Sequence, residues 1–231
     1  MTEEDWFAAT DPTIMFEFAN KNDRKLRLFV VALSYLFWDE LKIEELRSAI
    51  ITNEKYADGF ATDDELSKAR NSAHTMGHHI RWYWQHEPRG FPQEDPIERK
   101  RITDILGTPT EDMAKRSFFV AFMTSSSERL RRDKLPMLLT DPSLYKNGIS
   151  LIRDIFGNPF RPITLNPSWL SSTVLALATG IYEEKAFDRM PILADALQDA
   201  GCDNQDILNH CRQPGVHVKG CWVVDLLLNK K

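Results

Sequence analysis

The longest apolar run of the chain, 28–38 within RKLRLFVVALSYLFWDEL, follows a charged lead and is closed by Asp39 and Glu40. A bilayer span needs about 20 apolar residues, so this run is too short to cross one and reads as a buried helix over 24–41, capped by Asp23. Elsewhere helix signals recur and strand signals hardly appear. An Asx residue followed by proline suits an N-cap and the first helical position. That pair occurs at Asp11-Pro12, Asp95-Pro96 and Asp141-Pro142, with Asn166-Pro167 a close relative. Each predicts a helix start.

Further helices are predicted over 43–57, with Gly59 as terminator, and from a Thr62/Glu65 capping box to His86, where Pro88 breaks the pattern. Later helices cover 96–106, 111–131, 142–156, 167–183, 186–200, 203–212 and 218–228. GNPFRPITLNP interrupts them as an extended, proline-punctuated crossing. The fold class is therefore all-α, a multi-helix bundle or a stack of helical pairs with little or no strand. A single helical domain over 1–231 is expected. HEPRGFPQEDP, near 88–96, is where two helical halves would meet.

Composition narrows the function classes. With 231 residues, 42% hydrophobic and 27% charged, the chain can bury a core without disulfides or metals. A net charge of −5 argues against broad phosphate-backbone binding, which relies on a basic face, so nucleic acid is not the expected partner. The opening MTEEDWFAATDP is acidic where a secretion signal needs positive charge, and three cysteines cannot all pair, so a soluble cytoplasmic protein with reduced thiols is expected.

Candidate chemistry gathers in four stretches. The tail GCDNQDILNHCRQPGVHVKGCWVVDLLLNKK holds Cys202, His210, Cys211, His217 and Cys221, ligand types that zinc prefers, and any four would fill a tetrahedral site. His217 and Cys221 are four apart, but no Cys-x-x-Cys knuckle is present, and the cysteines read equally as small core residues. The second stretch, AHTMGHHIRWYWQHEPR, sets His74 and His78 at i and i+4 on one helical face. Two ligands alone do not make a metal site, and the segment lacks His-Glu-x-x-His. Arg81, Trp82, Trp84 and Arg89 mix cations with aromatics, as a partner-docking or base-stacking surface would, although Trp also serves ordinary helix packing.

In the third stretch, RDIFGNPFRP, Gly157 should end a helix and Asn158-Pro159 should force an extended turn. Asn158 and Arg161 are candidates for partner contact there, and Asp154 is expected to pair with Arg153 or Arg161. The fourth, SSSERLRRDK, reads as a solvated helix end. No nucleophile elbow, phosphate-binding loop or dinucleotide fingerprint occurs, which weakens an enzyme reading.

The segments LIRDIFGNPFRPITLNPSWL, FDRMPILADALQDAGCDNQDILNHCR and HVKGCWVVDLLLNKK, with DWFAATDPTIMFEF, DRKLRLFVVALSYLFW and EKYADGFATDDELSKAR earlier, resemble a paralogous family of uncharacterised bacterial proteins. The likeness covers both ends and leaves 90–146 unmatched. It implies no activity. Members often carry a CACC-like segment where this chain has Val30, Val31, Ala32, Leu33 and Ser34, which fits cysteine as a small core residue. The sequence thus points first to an interaction or regulatory module with a protein partner and no required cofactor. A metal-binding protein or metal-dependent hydrolase, with zinc as its ion, comes second, and nucleic-acid binding third.

Overall fold

The computed structural model describes residues 1–19, 22–86, 100–101, 104–105, 116–117, 119–121, 124 and 142–230, with backbone alone at 81–86 and 142–145. Every regular element among them is helical, and no strand occurs among the described residues, so the protein is all-α as its sequence predicts. The helices are α1 (Glu3–Ala8), α2 (Pro12–Phe18), α3 (Asp23–Tyr35), α4 (Glu44–Ala57), α5 (Asp63–His86), α6 (Pro142–Phe156), α7 (Ser172–Glu184), α8 (Met190–Asp199), α9 (Gln205–Arg212) and α10 (Trp222–Leu227). No helix among the described residues is long and apolar enough to cross a membrane.

Local chemistry explains most boundaries. Asp11 accepts from the Thr13 N–H at 2.8 Å ahead of Pro12, and Thr62 and Glu65 form the expected reciprocal cap at the start of α5. The same device, Thr2 with Asp5, opens α1, a short helix that the sequence reading did not anticipate. The run predicted over 167–183 is divided instead. Asn166-Pro167 starts only a 3-10 turn, Pro167–Trp169, and Ser171 then caps α7 through the Val174 N–H. Likewise Phe187–Arg189 is a 3-10 turn ahead of α8. The predicted helices over 96–106 and 111–131 are helical at the few positions described, and the 88–96 junction and SSSERLRRDK lie outside the described residues.

Chain packing divides into two units, one made of Met1–Lys25 with Leu139–Lys231 and the other of Leu26–Leu138. In the second unit α4 packs along α5, and a buried polar network ties the unit together. Arg27 donates to Asn53 Oδ1 at 2.8 Å and lies over the Tyr56 ring, while the Asn53 amide donates to the Ala49 and Thr124 carbonyls. Pairing the guanidinium and amide satisfies groups whose burial would otherwise be costly.

The first unit holds the candidate site. Its core runs through Val174, Ala178, Ile181, Leu193, Leu197, Leu208 and Val224, each 2% exposed or less, and burial stabilises each large aliphatic by about 1.5–3 kcal/mol. α8 packs on α7 and α9, and α10 meets α6, α7 and α9. From the other end of the chain, α2 packs on α6, with the Phe16 and Phe156 rings edge to face at 6.1 Å. Arg153 donates to the Trp6 and Phe7 carbonyls at 2.8 and 2.9 Å, capping the C-terminal end of α1. Gly157, at φ +68°, ends α6, and a Cβ there would lie 3.2 Å from the Trp222 ring. Only glycine suits both the turn and the contact.

Candidate metal centre

Asp154 lies in the last turn of α6 and is 2% exposed. Both features oppose a carboxylate, since the C-terminal end of a helix carries partial negative charge and burial removes water. Compensation must come from neighbours. The loop after α9 supplies two of them: His217 Nδ1 stands 2.7 Å from Asp154 Oδ1, and the Val218 N–H donates to Oδ2 at 2.9 Å. α9 supplies the third, His210, whose Nε2 is 3.2 Å from the same Oδ1. Burial pushes the Asp154 carboxyl toward neutrality, but the hydrogen bonds from His210 and His217 outweigh it and hold the group below the usual carboxylate range.

His210 Nε2 is also 3.2 Å from Cys221 Sγ, at the start of α10. Donor atoms of Asp154, His210, His217 and Cys221 all lie within 4.8 Å of one another, and this group could hold a metal ion. An ion with bonds of about 2.0–2.3 Å in a tetrahedral shell separates its ligands by roughly 3.2–3.8 Å. Both contacts of 3.2 Å that His210 makes fit that spacing, whereas the 2.7 Å contact of His217 is a hydrogen bond. Burial, aided by the charge on Asp154, raises the Cys221 thiol well above its ordinary range, so without an ion the sulfur is protonated at neutral pH. As a hydrogen-bonded cluster alone the group leaves His217 Nε2 buried with no partner among the described residues.

The surroundings hold the cluster still. The His210 ring sits between His217, in a T-shaped contact at 4.9 Å, and Trp222 at 5.1 Å. Trp222 in turn abuts Gly157, three residues after Asp154. Side-chain exposure is 2% at Asp154, 9% at His217 and 17% at His210, and Cys221 is wholly buried.

Three of the five tail residues singled out from sequence therefore converge: His210, His217 and Cys221. Cys202 and Cys211 lie in the apolar core and are not part of the converging group. Burial pushes the Cys211 thiol up to about 12, consistent with a core residue. Asp154, the fourth member, does not pair with Arg153 or Arg161 as expected from sequence, because Arg153 caps α1 and Arg161 binds Glu3 at 2.5 Å. Its one sequence signal is an acid in a final helical turn, just before the Gly-Asn-Pro stop.

The His74 and His78 rings do meet on α5, with Nε2 atoms 3.2 Å apart, but no third ligand joins them among the described residues. Asn158 donates to Glu3 at 2.6 Å and accepts from the Phe160 N–H, so Asn158 and Arg161 fasten their loop to α1. Arg89 lies outside the described residues, as do the side chains of Arg81, Trp82 and Trp84. The chain matches no protein-family model, no curated protein and no solved structure.

Proposed function

We propose that the chain is a zinc-binding protein, its ion held in a closed structural site by Asp154, His210, His217 and Cys221. The observation that carries this reading is the convergence of four ligand-type side chains, from two helices, a loop and the N-cap of a third helix, within 4.8 Å. A donor set of one sulfur, two imidazoles and one carboxylate suits a borderline-soft ion such as zinc. An ion there would neutralise the buried carboxylate and draw Cys221 into its thiolate form.

A catalytic zinc keeps one position for water, whereas four protein ligands complete the shell. With the most exposed of the four at 17%, a structural ion is favoured over a metal-dependent hydrolase. The ion would fasten the 213–220 loop to the end of α6 and the start of α10. A rigid, closed unit of this kind supports the interaction-module reading better than an enzymatic one.

Elemental analysis of untagged protein purified without chelator tests the proposal. About one zinc per chain is expected, falling toward zero in Cys221→Ser and Asp154→Asn. The competing account is a metal-free cluster in which two imidazoles and one amide satisfy Asp154. It predicts metal-free protein that takes up no added zinc and melts at the same temperature with and without chelator, and that result would overturn the proposal.

A further inference from the structure

A second feature of the first unit has no part in the metal cluster. Between the end of α6, the 157–163 segment and α10 lies a cleft of about 550 Å³, within the roughly 300–1,000 Å³ of small-molecule sites. Its apolar lining comes from Phe156, Pro159, Ile163 and Trp222 among others, and Lys25, Asn158, Arg161, Asp206, Asp225 and Lys230 give it a polar side. Trp222 is held in place by Gly157 and His210, so that wall is preformed.

The charges around the cleft are unevenly matched. Asp225 takes both guanidinium nitrogens of Arg24, at 2.7 and 3.1 Å, and Arg161 is engaged by Glu3 and Asp206. Lys230 stacks over Tyr182 at 4.3 Å. Lys25 differs: its ammonium donates to the Ile155 carbonyl at 2.6 Å, its only hydrogen-bond partner among the described residues. An ammonium offers three donors, and a desolvated charge short of partners is costly. Burial lowers its pKa from the ordinary lysine value, against the opposing pull of Asp225.

We propose that this cleft binds a small monoanion with a flat apolar body, of the aromatic carboxylate class, whose carboxylate is taken by Lys25. The apolar walls select the body, and a charge-assisted hydrogen bond to Lys25 selects the anion. A dianion such as a phosphate monoester fits less well, because Asp206 and Asp225 also line the space.

Benzoate is the probe, with benzamide as its neutral isostere, titrated into full-length isotope-labelled protein and followed by two-dimensional NMR. Benzoate should produce saturable shifts at Gly157, Ile163 and the Trp222 indole with a Kd on the order of a millimolar. Benzamide should bind about tenfold more weakly or not at all. Lys25→Met should remove the preference for the acid, and Lys25→Arg should restore most of it. Equal binding of acid and amide, shifts confined to other surfaces, or no saturable shift would each overturn the proposal. The comparison of acid with amide needs only the wild-type protein, so it stands even if Lys25→Met fails to fold.

Discussion

Two histidine pairs stand in this molecule under different conditions. His74 and His78 meet on one exposed face of α5, at the spacing a helix provides automatically, and no further ligand reaches them among the described residues. His210 and His217 come from a helix and a loop, and their partners, Asp154 and Cys221, come from a second helix and the N-cap of a third. Helical periodicity therefore brings two imidazoles together at little cost, while a complete ligand shell requires tertiary structure. Burial adds to the contrast. Around Asp154 each polar atom must find a protein partner or an ion, whereas at the α5 pair water can serve.

The sharpest way to break this comparison is to remove metal. Chelation should lower the melting temperature of the first unit by about 10 °C or more, since an ion at a thousandfold excess over its Kd contributes about 4 kcal/mol. Calorimetry with and without chelator measures this, and an unchanged transition would make the two histidine pairs equivalent. Next in size is Asp154→Asn in metal-free protein, expected to cost about 2–4 kcal/mol in denaturant unfolding because the His217 and Val218 hydrogen bonds lose their charged acceptor.

That variant should also change the response to acid. Because the folded-state pKa of Asp154 is depressed, its contribution is present above the unfolded-state value of about 3.9 and is lost as pH falls through the lower folded value. Wild-type minus variant stability should therefore shrink below about pH 4. Cys211→Ser should lower stability by about 1–3 kcal/mol through burial of a hydroxyl while zinc stoichiometry stays the same, which separates core cysteine from ligand cysteine. Smallest of all, His74→Ala with His78→Ala should alter stability by about 0.5 kcal/mol or less and leave metal content unchanged.

Most of the helical architecture was legible because its signals are local. Asp11, Thr62 and Pro142 act within one turn of themselves, and α2, α5 and α6 begin where those residues predict. Errors arose where two local signals competed. Asn166-Pro167 and Ser171 both resemble helix starts, but the first opens only the 3-10 turn Pro167–Trp169 and the second opens α7. The candidate site was half legible. Residue type identified His210, His217 and Cys221, but the same criterion drew in Cys202 and Cys211. Adjacent positions on α9 point about 100° apart, so His210 reaches the cluster while Cys211 enters the core. Asp154 stands 56 residues before His210 in sequence, and nothing local to it names the imidazoles it will meet.

The first unit is built from two segments that the second unit separates in sequence, and this sets an order on its assembly. α6, the helix that meets Phe16 and caps α1, follows α1 and α2 only after the whole of Leu26–Leu138 has been made. At about 5–20 residues per second, that interval lasts roughly 6–23 s. Throughout it the edge-to-face contact of Phe16 with Phe156 and the cap that Arg153 gives α1 are still to be made. The four donor side chains of the candidate metal centre likewise cannot assemble until Cys221, the last of them, has been made.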